Sequence, residues 1–262
     1  MKLYELLFPP KCIVCGTLLR LGVEDMPFCE LCLAKWEIEK RRAYEAYRGQ
    51  PVRTYTDGIP PTERYGHVMF CVYYHPKHRQ NVESRLILRL KDLGERRSVA
   101  FAASELAAAV RNSAPLIAEG GSKHDETVVT WIPRRRSSIK KYGFDHMERV
   151  AKQTAKLLSL PLKPLLCRRG FTFEQKHLDA KSRVLNAYSA MTVSKGAEVD
   201  GKTVLLIDDI VTTGASLDAA ASMLIEAGAE QVIAAVLASS DRPLDEVYRI
   251  ENGFNIIKKP KK

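Results

Sequence analysis

The segment from Val204 to Ser216 constrains the fold of this chain more than any other part of its sequence. Four consecutive apolar residues are followed by the acid pair Asp208-Asp209, and then by a turn that contains Thr212, Thr213 and Gly214. A short, fully apolar run is typical of a strand that is buried on both faces of a parallel sheet. After the turn, apolar residues recur with helical period as far as Gly228. The segment therefore predicts a buried strand, a turn and a helix.

The same alternation of strands and helices continues along the rest of the chain. Strands are predicted at residues 67–75, 127–132, 202–207 and 231–238, and helices at 33–48, 82–93, 98–110, 145–160 and 216–227. Strands that alternate with helices imply right-handed crossovers and a parallel sheet covered on both faces. The sequence thus predicts an α/β fold in which helices flank a parallel sheet.

The end of the 202–207 strand is the strongest candidate for a ligand site. Open α/β sheets bind ligands at the carboxyl ends of their strands. Backbone amides and hydroxyls at a helix N-terminus can bind phosphate, and Asp208 and Asp209 can accept hydrogen bonds from ribose hydroxyls, directly or through Mg²⁺. The phosphate-binding candidates are Thr212, Thr213, Gly214, Ala215 and Ser216. Helix capping by the hydroxyl groups is the alternative, but it leaves the paired acids after the apolar run unexplained.

A second candidate site lies near the N-terminus, where two Cys-x-x-Cys pairs stand close together. The pairs are Cys12 with Cys15 and Cys29 with Cys32. Two such knuckles can complete a tetrahedron of sulfur ligands around Zn²⁺, which leaves no open position for catalysis. Two disulfides or a redox dithiol are the alternatives, and a cytosolic location disfavours disulfides. The pattern favours a structural zinc site, with Gly16 supplying the positive φ that a knuckle needs.

Length and charge limit the remaining possibilities. The chain has 262 residues and a net charge of +10, which fits one main domain with a small appendage and favours polyanionic partners. A boundary is expected near residue 60, giving a four-cysteine module with its linker at 1–60 and the main domain at 61–262. We find no apolar run long enough to span a membrane and no secretory signal, so the expected location is the cytoplasm.

Taken together, these motifs resemble a known family. Ile207 to Ser216 is similar to the phosphoribosyl pyrophosphate motif of type I phosphoribosyltransferases, and the four cysteines ahead of it complete the layout of the ComF family. Further residues occur in the order that this family shows, namely Ile132-Pro133, Gly143-Phe144, Arg168-Arg169, Gln175, Leu178, Arg183 and Asn186.

The resemblance implies a type I phosphoribosyltransferase-like domain with an N-terminal zinc-ribbon-like module. It also implies phosphoribosyl pyrophosphate with Mg²⁺ as the ligand, single-stranded DNA and a competence helicase as partners, and a role in DNA uptake during natural transformation. Asp208 and Asp209 would hold the ribose, residues 212–216 the 5-phosphate, and Arg134, Arg135 and Arg136 the pyrophosphate or DNA phosphates. Relatives commonly read Arg-Gly-Phe-Asn-Gln where this chain has Tyr142-Gly-Phe-Asp-His146.

Three functions stay open at the level of sequence. The first is an active phosphoribosyltransferase, in which Asp208 and Asp209 are the candidate catalytic residues and the acceptor is unidentified. The second is a DNA-binding protein in which basic loops contact phosphates and aromatic side chains stack on bases. The aromatic candidates are Tyr142, Phe144, Phe171 and Phe173, for which core packing is the alternative. The third is a catalytically silent nucleotide sensor.

Overall fold

A computed structural model describes most of the chain. The described residues are 9–20, 25–47, 54–56, 69–74, 78–114, 117, 120–169, 190–212, 214–240, 249–251 and 254–256. The helices are α1 Glu30–Tyr47, α2 Val82–Leu93, α3 Arg96–Ser113, α4 Arg136–Tyr142, α5 His146–Leu157 and α6 Ala215–Glu226. The strands are β1 Thr54–Thr56, β2 Met69–Tyr73, β3 Thr127–Trp131, β4 Leu166–Arg168, β5 Met191–Val193, β6 Thr203–Val211, β7 Gln231–Ser239, β8 Arg249–Glu251 and β9 Phe254–Ile256.

A parallel sheet forms the centre of the fold, as the sequence predicts. β6 lies between β3 and β7 and runs parallel to both. Two strands pair with β7 along the edge that faces away from β6. β1 pairs antiparallel with the first half of β7, and β2 pairs parallel with its second half. β4 pairs with β5, and β8 with β9, as separate two-stranded ladders. The order β3-β6-β7 places the candidate ligand strand in the middle of the sheet.

Side chains of β6 alternate between two apolar layers. Leu205 and Ile207 pack in the layer that contains α2, α3 and α5, whereas Val204 and Leu206 pack with α6. Helices therefore cover both faces of the sheet. This burial on both faces explains why β6 is apolar without alternation up to Ile207.

The N-terminal cysteine segment packs directly on the sheet domain. Phe28, Trp36 of α1 and Phe101 of α3 form an aromatic cluster with ring centroids 5.1 to 6.0 Å apart. Trp36 Nε1 also donates a hydrogen bond of 2.9 Å to Glu105 of α3. The predicted boundary at residue 60 stays a prediction, although α1 and α3 share one apolar core across it. Within the described residues, no helix is both long enough and apolar enough to cross a bilayer.

Candidate ligand site and metal centre

The acid pair lies within β6, near its carboxyl end. The sequence predicts a strand that ends at residue 207, but β6 continues to Val211 and includes both aspartates. Adjacent strand residues point to opposite faces of a sheet. Asp209 accordingly contacts side chains of α2 and α5, whereas Asp208 lies on the side of Arg168 from β4. The two carboxylates therefore occupy different surroundings.

Asp209 is buried and held by two nitrogen donors. Its Oδ2 accepts a hydrogen bond of 2.7 Å from His146 Nε2 and pairs with Lys91 Nζ at 2.8 Å. Burial alone would raise the pKa of Asp209, but the His146 hydrogen bond and the Lys91 charge outweigh it and lower the pKa to about 2. Asp209 is therefore ionised at neutral pH and has its charge balanced within the fold.

Asp208 behaves in the opposite way. Burial and the neighbouring Asp209 charge raise the pKa of Asp208 to about 8, and Lys91 and Arg168 reduce this effect only in part. The Asp209 backbone N–H donates to Asp208 Oδ1 at 2.9 Å. Asp208 is thus the less acidic member of the pair and the one that a bound cation would ionise.

The turn that follows β6 contains a glycine in the left-handed conformation. Gly214 is the N-cap of α6 with φ of 78°, and its carbonyl accepts from the Asp218 N–H at 2.8 Å. Gly214 has no side chain with which to cap the first amides of α6, and amides at a helix N-terminus can bind an anion. Thr212 and Ser216 are exposed and Ala215 is half-buried. Thr213 lies outside the described residues.

The basic loop after β3 leads directly into α4, which begins at Arg136. The backbone N–H of Arg134 donates to Asp145 Oδ2 at 2.8 Å. Asp145 also accepts from Trp131 Nε1 at 3.2 Å and caps α5 through the Met147 N–H. The aspartate that replaces the relatives' asparagine therefore fixes this loop to the start of α5. Arg135 and Arg136 are exposed.

The aromatic side chains near this loop are covered by cations. The Arg134 guanidinium lies 4.4 Å from the Tyr142 ring centroid and 5.6 Å from that of Phe144, and Arg149 lies 4.3 Å from Phe144. Each of these two rings therefore has a cation over its face, where a base could otherwise stack. The predicted aromatic residues Phe171 and Phe173 lie outside the described residues. The same holds for the family residues Gln175, Leu178, Arg183 and Asn186.

Sequence reasoning missed Lys91 and the role of His146. Lys91 belongs to a helix whose pattern indicates only packing, and nothing in its sequence neighbourhood points to β6. His146 stands out only as a departure from the relatives' glutamine. The sequence marks Arg168 only by its order in the chain. Its Nε donates a hydrogen bond of 2.8 Å to the Pro133 carbonyl, and its charge acts on Asp208. Burial lowers the pKa of Arg168, and the charge of Asp208 opposes this shift.

The four predicted cysteines converge on one point. Their sulfur atoms all lie within 4.8 Å of one another, and Cys15 and Cys29 are 3.6 Å apart. A tetrahedral zinc site with Zn–S bonds of about 2.3 Å has sulfurs about 3.8 Å apart, so the cluster fits this ion. Hydrogen bonding with Thr17 lowers the pKa of Cys15 to about 6, whereas burial raises the pKa of Cys32. Gly16 has φ of 77°, as the knuckle pattern predicts.

Comparison with known proteins finds one matching domain family and two similar curated proteins. The profile of the phosphoribosyl transferase domain matches residues 148–260. Adenine phosphoribosyltransferase of Nocardia farcinica is 40% identical over 65 residues, which are 21% of this chain and 34% of that protein. Competence protein F of Haemophilus influenzae is 32% identical over 94 residues, which are 34% of this chain and 40% of that protein. The chain thus spans about a third to two fifths of the length of these relatives.

Solved structures with remote similarity include the following two enzymes. The allosteric regulatory enzyme of purine biosynthesis aligns with a TM-score of 0.35 and 18% identity, over 57% of this chain and 29% of that one. Phosphoribosylpyrophosphate synthetase from Mycobacterium smegmatis aligns with a TM-score of 0.34 and 20% identity, over 57% and 40% of the two chains. The fold assignment rests on the domain match and on the sheet itself. This chain therefore carries a phosphoribosyl transferase domain, joined to an N-terminal four-cysteine cluster, and is similar to Competence protein F.

Proposed function

We propose that this protein binds phosphoribosyl pyrophosphate with Mg²⁺ at the carboxyl end of β6. One observation carries the proposal: a central parallel strand brings an acid pair to the sheet edge and leads, through the left-handed Gly214, into the N-terminus of α6. The N-terminal amides of α6 suit the 5-phosphate, and the acid pair suits the ribose and Mg²⁺ end of the ligand. Mg²⁺ would arrive with the diphosphate and would find a carboxylate ligand in Asp208.

Calorimetry with phosphoribosyl pyrophosphate and Mg²⁺ tests this proposal. Wild type should bind, and Asp208→Asn combined with Asp209→Asn should lose binding while the four cysteines keep their metal. Absence of binding by wild type would reject the proposal. Because Asp209 balances buried charges, circular dichroism of the double variant must first show a folded protein.

Turnover is a separate part of the proposed function. Release of pyrophosphate should be followed across a panel of nucleobases and with single-stranded DNA. Release that the double variant loses would identify a phosphoribosyltransferase and its acceptor. Binding without release for any acceptor would favour a nucleotide sensor.

For the biological setting we propose DNA uptake in the cytoplasm, in partnership with a competence helicase, on the basis of the similarity to Competence protein F.

Single-stranded DNA is a second proposed ligand, and the surface around α4 supports it. Four exposed cations line this surface, which we call the basic surface, and they are Arg135, Arg136, Lys140 and Lys141. It directly follows Ile132-Pro133, whose Ile132 N–H donates to the Ile207 carbonyl at 3.0 Å. The basic surface therefore begins close to the acid pair, near the carboxyl ends of the strands. The covered faces of Tyr142 and Phe144 make phosphate contact the more favoured mode.

The salt dependence of binding tests the basic surface. For single strands, each phosphate contact contributes about 0.7 to the slope of log affinity against log salt. Lys140→Gln with Lys141→Gln should lower this slope by about 1.4 in fluorescence anisotropy with a short oligonucleotide. Lys152→Gln with Lys156→Gln, on exposed positions of α5, is the matched control and should leave the slope unchanged. Equal slopes for wild type and the α4 variant would contradict this interface.

A further inference from the structure

The four cysteines of the N-terminal cluster differ in their exposure to solvent. Cys12 and Cys32 are each 3% exposed and belong to the apolar core, whereas Cys15 is exposed and Cys29 is half-buried. The two more accessible sulfurs are also close together, with 3.6 Å between Cys15 Sγ and Cys29 Sγ. We infer that Cys15 and Cys29 form an oxidisable pair, which a hydroperoxide converts to a disulfide that joins the two Cys-x-x-Cys knuckles.

Exposure determines which sulfur the oxidant reaches first. A peroxide must contact the sulfur that it oxidises, so a buried cysteine reacts slowly. Cys15 is accessible, and its neighbours Gly16 and Thr17 are exposed as well. The knuckle is held in this shape because the Cys12 N–H donates to the Thr17 carbonyl at 2.8 Å and the Gly16 N–H donates to the Cys12 carbonyl at 3.0 Å. Oxidation should therefore begin at Cys15.

The reaction balances with one peroxide and two cysteines. Cysteines that bind a metal are thiolates. The Cys15 thiolate attacks one peroxide oxygen, the O–O bond breaks, and a sulfenic acid and hydroxide form. The Cys29 thiolate then attacks the Cys15 sulfur, so that an S–S bond forms and the sulfenic oxygen leaves as a second hydroxide. The two sulfurs are oxidised, and the peroxide is reduced to two hydroxides, which take up protons and become water.

Distance and burial favour Cys29 as the second sulfur. All four sulfurs lie within 4.8 Å of one another, so proximity alone does not exclude the other two cysteines. Cys12 would have to leave the apolar core in order to react, whereas Cys29 already lies at its edge. A disulfide bond is about 2.05 Å long, so Cys15 and Cys29 need to approach by only about 1.5 Å. The expected disulfide therefore connects the knuckles and does not close either one.

Such a disulfide removes two of the four metal ligands but keeps the knuckles together. Two remaining thiolates do not complete a tetrahedral site, so zinc affinity should be lost. The cross-link itself restricts the unfolded chain, which offsets part of the lost metal-binding energy. Phe28, next to Cys29, stays packed against Trp36 and Phe101 on the core side of the cluster. Oxidation should thus release zinc without unfolding the module.

Peptide mapping of the zinc-loaded, full-length protein after treatment with hydrogen peroxide tests this pairing. Trypsin should release peptides 12–20 and 21–35, each of which contains one knuckle. A disulfide within a knuckle leaves these peptides separate, whereas the expected one links them, and fragmentation in the mass spectrometer identifies the bonded sulfurs. The Cys15–Cys29 form should exceed every other pairing about tenfold. A chelating dye should detect about one zinc ion released for each disulfide.

Two matched variants each remove one metal ligand but differ in the exposure of the lost sulfur. At the same peroxide dose, Cys12→Ser should still give the linked peptides and Cys15→Ser should not. Cys167→Ser removes an exposed cysteine outside the cluster and should release zinc as wild type does. Oxidised, zinc-free wild type should unfold about 3 °C or more above reduced protein that a chelator has stripped of zinc.

Disulfides confined to single knuckles would overturn the inference, as would zinc release without linked peptides. Linked peptides that form equally well in Cys15→Ser would show that the exposed sulfur is not the site of attack. An oxidised protein that unfolds no later than the stripped, reduced one would contradict the stabilising effect of the cross-link.

Discussion

Two adjacent carboxylates with opposite pKa shifts are the main feature at the scale of single residues. Asp209 has Lys91 and His146 as partners, which lower its pKa, whereas Asp208 lies on the other face of β6 and has a raised pKa. The difference arises because side chains alternate along a strand, so neighbours in sequence have different neighbours in space. Asp208 and Asp209 belong to one sequence motif, but their carboxylates lie in two different chemical environments.

The raised pKa of Asp208 predicts a pH dependence of stability. A carboxyl group with a pKa of about 8 in the folded state keeps its proton at pH values where the unfolded chain has lost it. Its contribution to stability is therefore fully present below the unfolded pKa of about 4 and is lost as the pH rises through the folded value. The expected loss is about 1.4 kcal/mol for each pH unit in that window.

Urea unfolding of the ligand-free protein from pH 5 to pH 9 measures this effect. Asp208→Asn removes the titrating group, so the variant should lose less stability than wild type over the same range. Parallel curves for the two proteins would show that Asp208 titrates normally. Asp209 acts with the opposite sign, because its pKa is lowered to about 2 and its contribution disappears only in acid.

At the scale of elements, the turn between β6 and α6 can be tested by one substitution. Gly214 has φ of 78°, a conformation that costs an alanine about 1 to 2 kcal/mol. Gly214→Ala should therefore lower stability by about that amount and should also weaken binding of ribose 5-phosphate, because the backbone must approach the phosphate closely.

Gly201→Ala separates the two effects. Gly201 has φ of 63°, and a Cβ added there meets nothing within 4 Å, so the conformational cost is similar. The position lies just before β6, at the opposite end of the strand from the acid pair. This control should lose stability and keep its ligand affinity. Similar ligand affinities for the two variants would show that the 5-phosphate does not bind at this turn.

Elements with a strong apolar period were predictable from sequence, and weakly patterned ones were not. The predicted helix at 82–93 matches α2, and the predicted strand at 127–132 matches β3 within one residue. α4 was missed because none of its residues is buried, so no apolar stripe marks it. β1, β4 and β5 have three residues each, too few for an alternating pattern to be recognised. The position of Lys91 beside Asp209 depends on the packing of α2 against β6, which no local pattern encodes.

At the scale of the whole molecule, the cysteine module and the ligand site are connected through α2. Arg85 of α2 donates a hydrogen bond of 3.0 Å to the Ile13 carbonyl, which lies between Cys12 and Cys15. The same helix carries Lys91 to the acid pair. The aromatic cluster of Phe28, Trp36 and Phe101 adds a second connection, through α3. A change at the metal site should therefore affect the entire fold.

Cys12→Ser tests this connection. The variant should bind about one zinc ion fewer per chain, and its thermal unfolding midpoint should fall by more than about 5 °C, because zinc in such sites contributes several kcal/mol of folding energy. Affinity for phosphoribosyl pyrophosphate should fall as well, but less than in the double variant Asp208→Asn with Asp209→Asn, since α2 keeps its own packing on the sheet. Cys167→Ser is the control, because Cys167 is exposed and lies outside the cluster. A metal-free Cys12→Ser protein with an unchanged midpoint would mean that the four-cysteine module folds without influence on the sheet domain, and that α2 holds Lys91 in place unaided.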